Sequence, residues 1–526
     1  MTKGPGDTPA KNQIKRNTQI TKYTSLFTAV RSHQTGIEHA AEALRPGHRS
    51  QLLTPDDPLQ MADNTSVQGS INFHVPLVFD DGLKWLVRIR QDHHSDSILA
   101  IQKQVMQSEV VTLNWLKEQN IASPQAWLPS ISHSDTITPE EASSAGTSLI
   151  YFFYEFLQGK CLSTFDMGVK YWREPSEEVI RLIQDHGKHQ IVLSGHSFRA
   201  NEIGCLVSTD NEKETPEVGP LISLNGVHHL DPPYFPGPFA SNQDRFLSQI
   251  DIALSHIRDG LSEQTEILDA YLWHLLLREL VETCPELAEP VEEVYIRHAD
   301  AKGDQFMGDE EGNMMATIDW EGAFLTTKAE AFSAPEFISK TGVPYIDQTT
   351  FTPCEQILID YYEESNRPDL AEFVRKDKKY THLGGIGSFT TKFIYKCSSW
   401  ALLDAFEDSR PDTLRPPRDL GPDWRLYLID RYDSDQGFDT IFKRAGYDLE
   451  KERAAAGNGL EDREAERQLW WSRSFVQRQT EKEARILEQT KVKEREKERR
   501  VAGQWASAER RKPRVQDKMV RYQGKI

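Results

Sequence analysis

Two acidic loops joined by one short hairpin constrain this chain more than any other feature in it. The first loop, Tyr295-Ile-Arg-His-Ala-Asp-Ala-Lys-Gly-Asp-Gln305, offers His298-x-Asp300 and a polar Gln305 five residues past the aspartate. Phe306 to Gly308, the turn-rich stretch Asp309 to Asn313 and apolar Met314 to Ile318 then read as a hairpin, with Asp319 ending its second strand. A hairpin of this length folds Asp319 back beside Asp300 and Gln305. Two surface acids flanking an ordinary hairpin are the plain alternative, but the ending Ile318-Asp-Trp-Glu321 at this distance favours a site. Phosphoryl transfer needs such a set. One carboxylate orients and deprotonates a hydroxyl, while a second carboxylate and an amide hold Mg²⁺ on the phosphates.

The pattern resembles the aminoglycoside phosphotransferase family, which shares the protein-kinase-like fold, and in particular its large fungal branch. Members carry His-x-Asp-x-x-x-x-Asn and a later Ile-Ile-Asp-Trp-Glu. One fungal subgroup reads Lys-Gly-Asp inside the loop, as Lys302-Gly303-Asp304 does here. The chain departs from the pattern at Gln305, where Asn is usual, and this leaves the second metal position open. The resemblance spans residues 65–380, is specific at the Asp-Trp-Glu end and is weak in the glycine loop. It implies a bilobal α+β fold, with a β-rich N-lobe over 65–158, a helical C-lobe over 159–450, and ATP and Mg²⁺ between them. It also implies transfer of the γ-phosphoryl group to a hydroxyl of a small molecule. In that scheme Asp300 is the base, Asp319 the main Mg²⁺ ligand and Gln305 the second. Arg88 holds phosphates, Glu109 fixes Arg88, and His298 braces the loop. Aminoglycosides themselves are not the expected acceptor. The rival is a degenerate relative that binds nucleotide or a partner without turnover, which Gln305 and the sparse glycine loop favour.

The N-lobe residues carry their own signals. Ile71, Phe73, Val75, Leu77 and Phe79 alternate along one strand, the turn Asp80-Asp-Gly82 follows, and Leu83, Trp85, Val87 and Ile89 alternate along the next. In the family a Gly-Ser-x-Asn segment here caps the nucleotide phosphates, so Gly69 and the polar Ser70 and Asn72 become candidates. From the residues alone, Arg88 reads equally as a solvated strand position. Ser95 to Asn120 predicts a helix capped by Ser95 or Asp96, with Ile101, Val105, Glu109, Leu113 and Leu116 on one face. A carboxylate inside an apolar stripe is costly unless paired, and Arg88 is the partner the kinase-like fold would supply. Glu109 at the stripe edge, reaching water, is the alternative. The aromatic run Ser148 to Gly159 predicts a buried strand ending in a linker. In the family that linker reads adenine through its backbone, which places Glu155 and Leu157 at the nucleotide.

Beyond residue 160 the chain reads as mostly helical with an irregular insert on the acceptor side, and Leu268 to Leu287 predicts one core helix. Gly195-His-Ser-Phe-Arg199 fails as a nucleophile elbow, because Arg199 stands where Gly is needed. Ala334-Pro-Glu336 reads as a structural turn. Residues 451–526 hold 21 Lys and Arg against 13 Asp and Glu, so of the formal charge of −19 the remainder carries −27. An acidic body argues against general nucleic-acid binding and fits a cationic small molecule. The tail predicts a solvated charged helix, with Trp470 and Trp471 available to dock and a protein partner as one option. Five scattered cysteines predict reduced thiols, and no apolar run is long enough to span a bilayer. The expected compartment is cytoplasmic, with mitochondrial or nuclear placement as alternatives. Residues 1–64 read as a mobile leader.

Overall fold

A computed structural model describes residues 9–54, 71–90, 99–129, 149–164, 167, 174–208, 215–222, 227–261, 266–339, 351–376, 378–387, 399–414 and 422–457. The hairpin expected around Asp80–Gly82 forms as β2 (Asn72–Phe79) and β3 (Lys84–Arg90), antiparallel, with Phe73, Val75, Leu77 and Phe79 buried. Ile71 lies just before β2 and is exposed, so the alternation begins one pair later than the sequence suggested.

The first correction concerns the leader. Residues 9–44 form a helix, α1 (Pro9–Leu44), and Ser50–Leu52 forms β1, which pairs with β2 at Leu52↔Leu77. Val30, Ile37 and Ala41, spaced at steps of seven and four, are buried against Leu52, Phe73, Val75 and Leu77. Leu26, Phe27, Ala40 and Leu44 pack beside them, so the contact is an apolar stripe that the polar residues around it dilute in the sequence. It covers one face of the sheet. Pro76 lacks an N–H but accepts from the Leu53 N–H at 2.8 Å, so the ladder loses only the return bond where β1 ends.

The sheet is completed by β4 (Ala126–Trp127) and β5 (Tyr151–Glu155), in the order β1-β2-β3-β5-β4. Helix α2 (Leu99–Glu118) packs beside it. Its Val110, Leu113 and Leu116 share one core with Phe152 and Tyr154 of the sheet and with Trp320 and Leu325 further on. The proposed caps Ser95 and Asp96, and Ser70 with Gly69, lie outside the described residues.

From Lys160 onward helices dominate. Short strands β6 (Lys160–Leu162), β10 (Phe306–Gly308) and β11 (Met314–Thr317) form a three-stranded sheet, while β9 (Tyr295–Arg297) pairs with β12 (Phe324–Thr326). The insert supplies β7 (Leu206–Val207) and β8 (Glu217–Val218), with Gly204 bridged to Leu325. The single helix expected over 268–287 is two. The first runs Ile267–Glu282 and a turn of helix resumes at Pro285–Ala288, because Pro285 has no N–H to continue the ladder. Residues 448–526 form a separate unit, of which the helix Leu449–Gly457 is described. The rest of the tail, including Trp470 and Trp471, lies outside the described residues. Among the described residues no helix is long and apolar enough to cross a membrane.

Candidate active site

The site is built on β3, α2 and the two acidic loops. Period-two alternation turns Arg88 off the hairpin's outer face, and the side chain is 4% exposed, so the solvated-strand reading fails. Its Nη2 lies 3.2 Å from Glu109 Oε1, 2.5 Å from Asp319 Oδ1 and 3.4 Å from Glu321 Oε2. One guanidinium thus joins α2 to the loop after β11. Phe152 and Tyr154 stand beside it, each ring centroid 5.9 Å away.

Glu109, buried within the apolar stripe between Val105 and Leu113, is the carboxylate most exposed to the cost of burial. Burial pushes its carboxyl up to about 8 against the pull of Arg88, and Glu321 and Asp319 add to the push. Burial also raises Asp319, but Arg88 overrides it by charge and hydrogen bond and holds that carboxyl at about 2. The folded pKa of Glu109 lies above its unfolded value, so the folded state binds more protons between them and stability falls as pH rises from about 4.5 to about 8. Glu109→Gln, a neutral isostere, is expected to flatten that part of the stability–pH curve and to cost little at pH 6. Thermal unfolding across pH 5–9 measures it. An unchanged slope would mean that Glu109 is ionised in the fold.

The aspartates sit on constrained backbone. Asp319 takes φ 65°, a left-handed conformation that Asp tolerates better than most residues. Buried Trp320 anchors it from behind, its indole N–H donating to Thr317 O at 3.0 Å. The Asp319 side chain is 44% exposed while Arg88 beside it is buried, so this carboxylate faces open space. Asp300 lies three residues past β9. His298 accepts from the Asp300 N–H at Nδ1 (3.2 Å) and donates from Nε2 to Ile318 O (3.0 Å), which fixes one neutral tautomer and ties the two acidic loops together. Burial lowers the His298 pKa, in keeping with that neutral form. Lys302 ion-pairs with Asp300 and stands 3.6 Å from Asp304.

Gln305, the expected second metal ligand, is engaged within its own loop. Its Oε1 accepts from the Gly303 N–H at 2.7 Å and the side chain is buried, so the oxygen expected at Mg²⁺ closes its own loop here. The extra methylene relative to Asn is what lets the amide reach back two residues. Gly303 itself takes φ 103°, and a Cβ there would meet Thr164 Oγ1 at 2.0 Å and Phe337 Cβ at 2.8 Å. Thr164 N–H and Phe337 N–H also bond the loop, at Gly303 O (2.8 Å) and Ala301 O (3.1 Å). Ala334-Pro-Glu336 therefore leads directly into a brace of the Asp300 loop. Gln305→Asn is expected to lower stability by about 1–3 kcal/mol, the cost of an unpaired buried N–H, and to leave the half-saturating magnesium concentration unchanged. Calorimetric unfolding and a magnesium titration of nucleotide binding check both halves. A shift in the titration would return Gln305 to the metal.

At the other edge, the Glu155 side chain is engaged by protein donors. Its Oε2 accepts from Gln125 N–H and from Lys117, each at 3.0 Å, pinning the end of β5 to α2 and β4. Leu157 lies partly buried in the segment between β5 and β6. Asn72 donates to Glu321 Oε2 at 2.7 Å, and Arg90 to Glu321 Oε1 at 2.5 Å. Arg90 and Glu321 were missed as site residues, yet both had a signal. Arg90 shares a strand face with Arg88 two positions away, and Glu321 closes the same Asp-Trp-Glu run as Asp319.

A β-sheet lobe, a helix whose buried glutamate meets a strand arginine, and two tied acidic loops at the base of that sheet define the type of fold. The architecture is kinase-like. No family model and no curated protein matches the sequence. Among solved structures, the chain is similar to an ethanolamine kinase from Plasmodium vivax, at 12% identity and a TM-score of 0.37, over 65% of this chain and 81% of that one. It also aligns with macrolide 2'-phosphotransferase type I, at 12% identity and 0.35, covering 72% and 97%. A thermostable mutant of an aminoglycoside phosphotransferase aligns at 14% identity and 0.34, covering 70% and 96%.

Proposed function

We propose that the chain is a phosphotransferase of the aminoglycoside-phosphotransferase type, moving the γ-phosphoryl group of ATP to a hydroxyl of a small molecule with Mg²⁺. The observation that carries the reading is the buried Arg88, whose single guanidinium is shared between Glu109 of α2 and the half-exposed Asp319. A structural ion pair would close on itself. Here one carboxylate stays open, and the buried Arg88 Nε has no hydrogen-bond partner among the described residues.

That donor set fits a nucleotide and its metal. Asp319 is an oxygen ligand of the hard type Mg²⁺ takes, Asp304 adds a second half-exposed carboxylate, and Arg88 matches phosphate oxygens. Bound Mg²⁺·ATP supplies the activated phosphoryl group and neutralises charge on it. The chain's own residues do the rest. Asp300 orients the acceptor hydroxyl and takes its proton. Lys302 has to leave Asp300 for this, and it carries a positive charge that suits the moving phosphoryl group. His298 holds Asp300 and Asp319 in register through their backbones. Arg88, released from Asp319, keeps Glu109 and Glu321 as partners. Of the candidate metal ligands, Asp319 and Asp304 keep half-exposed carboxylates, while Gln305 Oε1 already accepts from the Gly303 N–H.

A second reading, nucleotide binding without turnover, is favoured by the engaged Gln305 amide. Two measurements separate them. Calorimetry with ATP at several magnesium concentrations is expected to give magnesium-dependent binding, and a metabolite extract with labelled ATP is expected to yield a phosphorylated small molecule. Binding with no labelled product would favour the second reading, and no binding would end both.

A further inference from the structure

We propose that Glu321 is a positioning residue that clasps the nucleotide-side strands to the Asp319 loop, and that it is not a metal ligand. The proposal deepens the phosphotransferase reading and rests on it for its functional part.

Glu321 is 4% exposed, and protein donors occupy both of its oxygens. Arg90 Nη1 donates to Oε1 at 2.5 Å, Asn72 Nδ2 to Oε2 at 2.7 Å, and Arg88 Nη2 stands 3.4 Å from Oε2. Asn72 and Arg90 are register partners, the terminal pair of the β2–β3 hairpin at the end away from its turn. One carboxylate therefore holds both strands at the place where the chain enters the sheet from its proposed phosphate-covering segment. The clasp is rigid at its base. Trp320 is buried, its indole is bonded to Thr317, and Ala323 N–H closes the turn onto Trp320 O at 3.1 Å. Charge-assisted hydrogen bonds of this kind are about twice as strong as neutral ones, and these are screened from water. Asp319, two residues earlier, is arranged the opposite way, half exposed with an oxygen open to a ligand. Division of labour between the two acids follows. Asp319 faces the cleft and Glu321 sets how far β3, and hence Arg88, stands from it.

The test is a double-mutant cycle on the full chain with Arg90→Gln, Glu321→Gln and both together. Amide hydrogen exchange of residues 72–79 and 84–90 is read without nucleotide. Each single variant is expected to speed exchange there by about tenfold or more, and the pair by no more than the worse single, because the second change removes a contact already gone. Arg90→Lys is expected to retain most of the protection. If Glu321→Gln fails to fold, Asn72→Ala probes the same carboxylate from its other donor and is expected to speed exchange in the same strands. With Mg²⁺·ATP, the single variants are expected to weaken nucleotide affinity together while the half-saturating magnesium concentration holds. Additive effects on exchange would overturn the clasp. So would a Glu321→Gln variant that shifts the magnesium titration about tenfold while Arg90→Gln leaves nucleotide binding intact. The enzymatic reading fails separately, as a wild-type chain that shows the coupled exchange and binds no nucleotide.

Discussion

Asp300→Asn is expected to lower turnover by about 10²–10⁴-fold while leaving affinity for Mg²⁺·ATP within about threefold. The argument is one of geometry. Asn keeps the side chain's shape, and its amide oxygen still accepts from Lys302, so the ion pair becomes a hydrogen bond and the loop stays closed. The loop is held by bonds that do not involve the Asp300 carboxyl at all: His298 to Ile318 O, Gln305 to Gly303 N–H, Thr164 to Gly303 O and Phe337 to Ala301 O. The one property lost is the capacity to take a proton. Steady-state kinetics on the acceptor found in the extract screen, with nucleotide affinity by calorimetry, separates the two terms. Undiminished turnover would remove Asp300 from catalysis. A collapse of nucleotide affinity would make it part of the metal site. Lys302→Met supplies the companion measurement, since it frees Asp300 of its cation without touching the carboxylate.

Much of this site was legible because it is local in sequence. Asp300, Gly303, Gln305 and Asp319 lie within one hairpin's reach, and the alternation of β2 and β3 fixes which way Arg88 turns. Glu109 was legible for a different reason, since a carboxylate in the middle of an apolar helical stripe demands a cation. What could not be read was long-range or conformational. Gln305 looks like a ligand on residue type, and its rotamer, turned back to the Gly303 N–H, could not be read from the sequence. Glu321 meets Arg90 and Asn72 across more than two hundred residues. Helix α1 escaped because its apolar residues, from Leu26 to Leu44, find their role only once a sheet face is there to receive them, and a window of sequence does not contain that face. Pro285 broke the expected core helix through its missing N–H, a signal that was in the sequence and was outweighed by the run of leucines before it.

Arg88→Met is the substitution with the largest expected effect on stability. Met matches the length of the arginine stem and packs beside Phe152 and Tyr154, so the loss is chiefly of charge. Glu109, Asp319 and Glu321 would then face one another with Arg90 as the nearest remaining guanidinium to Glu321. Breaking a buried ion pair by removing one partner typically costs about 3–5 kcal/mol, because the charge left behind is uncompensated. The pH dependence identifies the cause. Without Arg88 the carboxyls of Glu109 and Asp319 lose the cation that counters their burial, and a group with a raised folded pKa contributes stability at low pH and loses it as pH rises. The deficit is therefore expected to be small near pH 4.5 and to grow toward pH 8, where burial of Glu109 already works against the wild type. Nucleotide affinity should fall as well, since the same guanidinium is proposed to hold phosphates. Denaturant unfolding at pH 5, 6.5 and 8 gives the curve. A deficit that is the same at all three would mean that packing around the arginine stem, not its charge, holds this corner of the fold. The double variant Arg88→Met with Glu109→Gln sharpens the test, because it removes the guanidinium together with the carboxylate that burial penalises most. It should recover part of the loss at pH 8 and little at pH 5. If it recovers nothing at pH 8, the strain lies between Asp319 and Glu321, and Arg88 serves the metal loop before it serves helix α2.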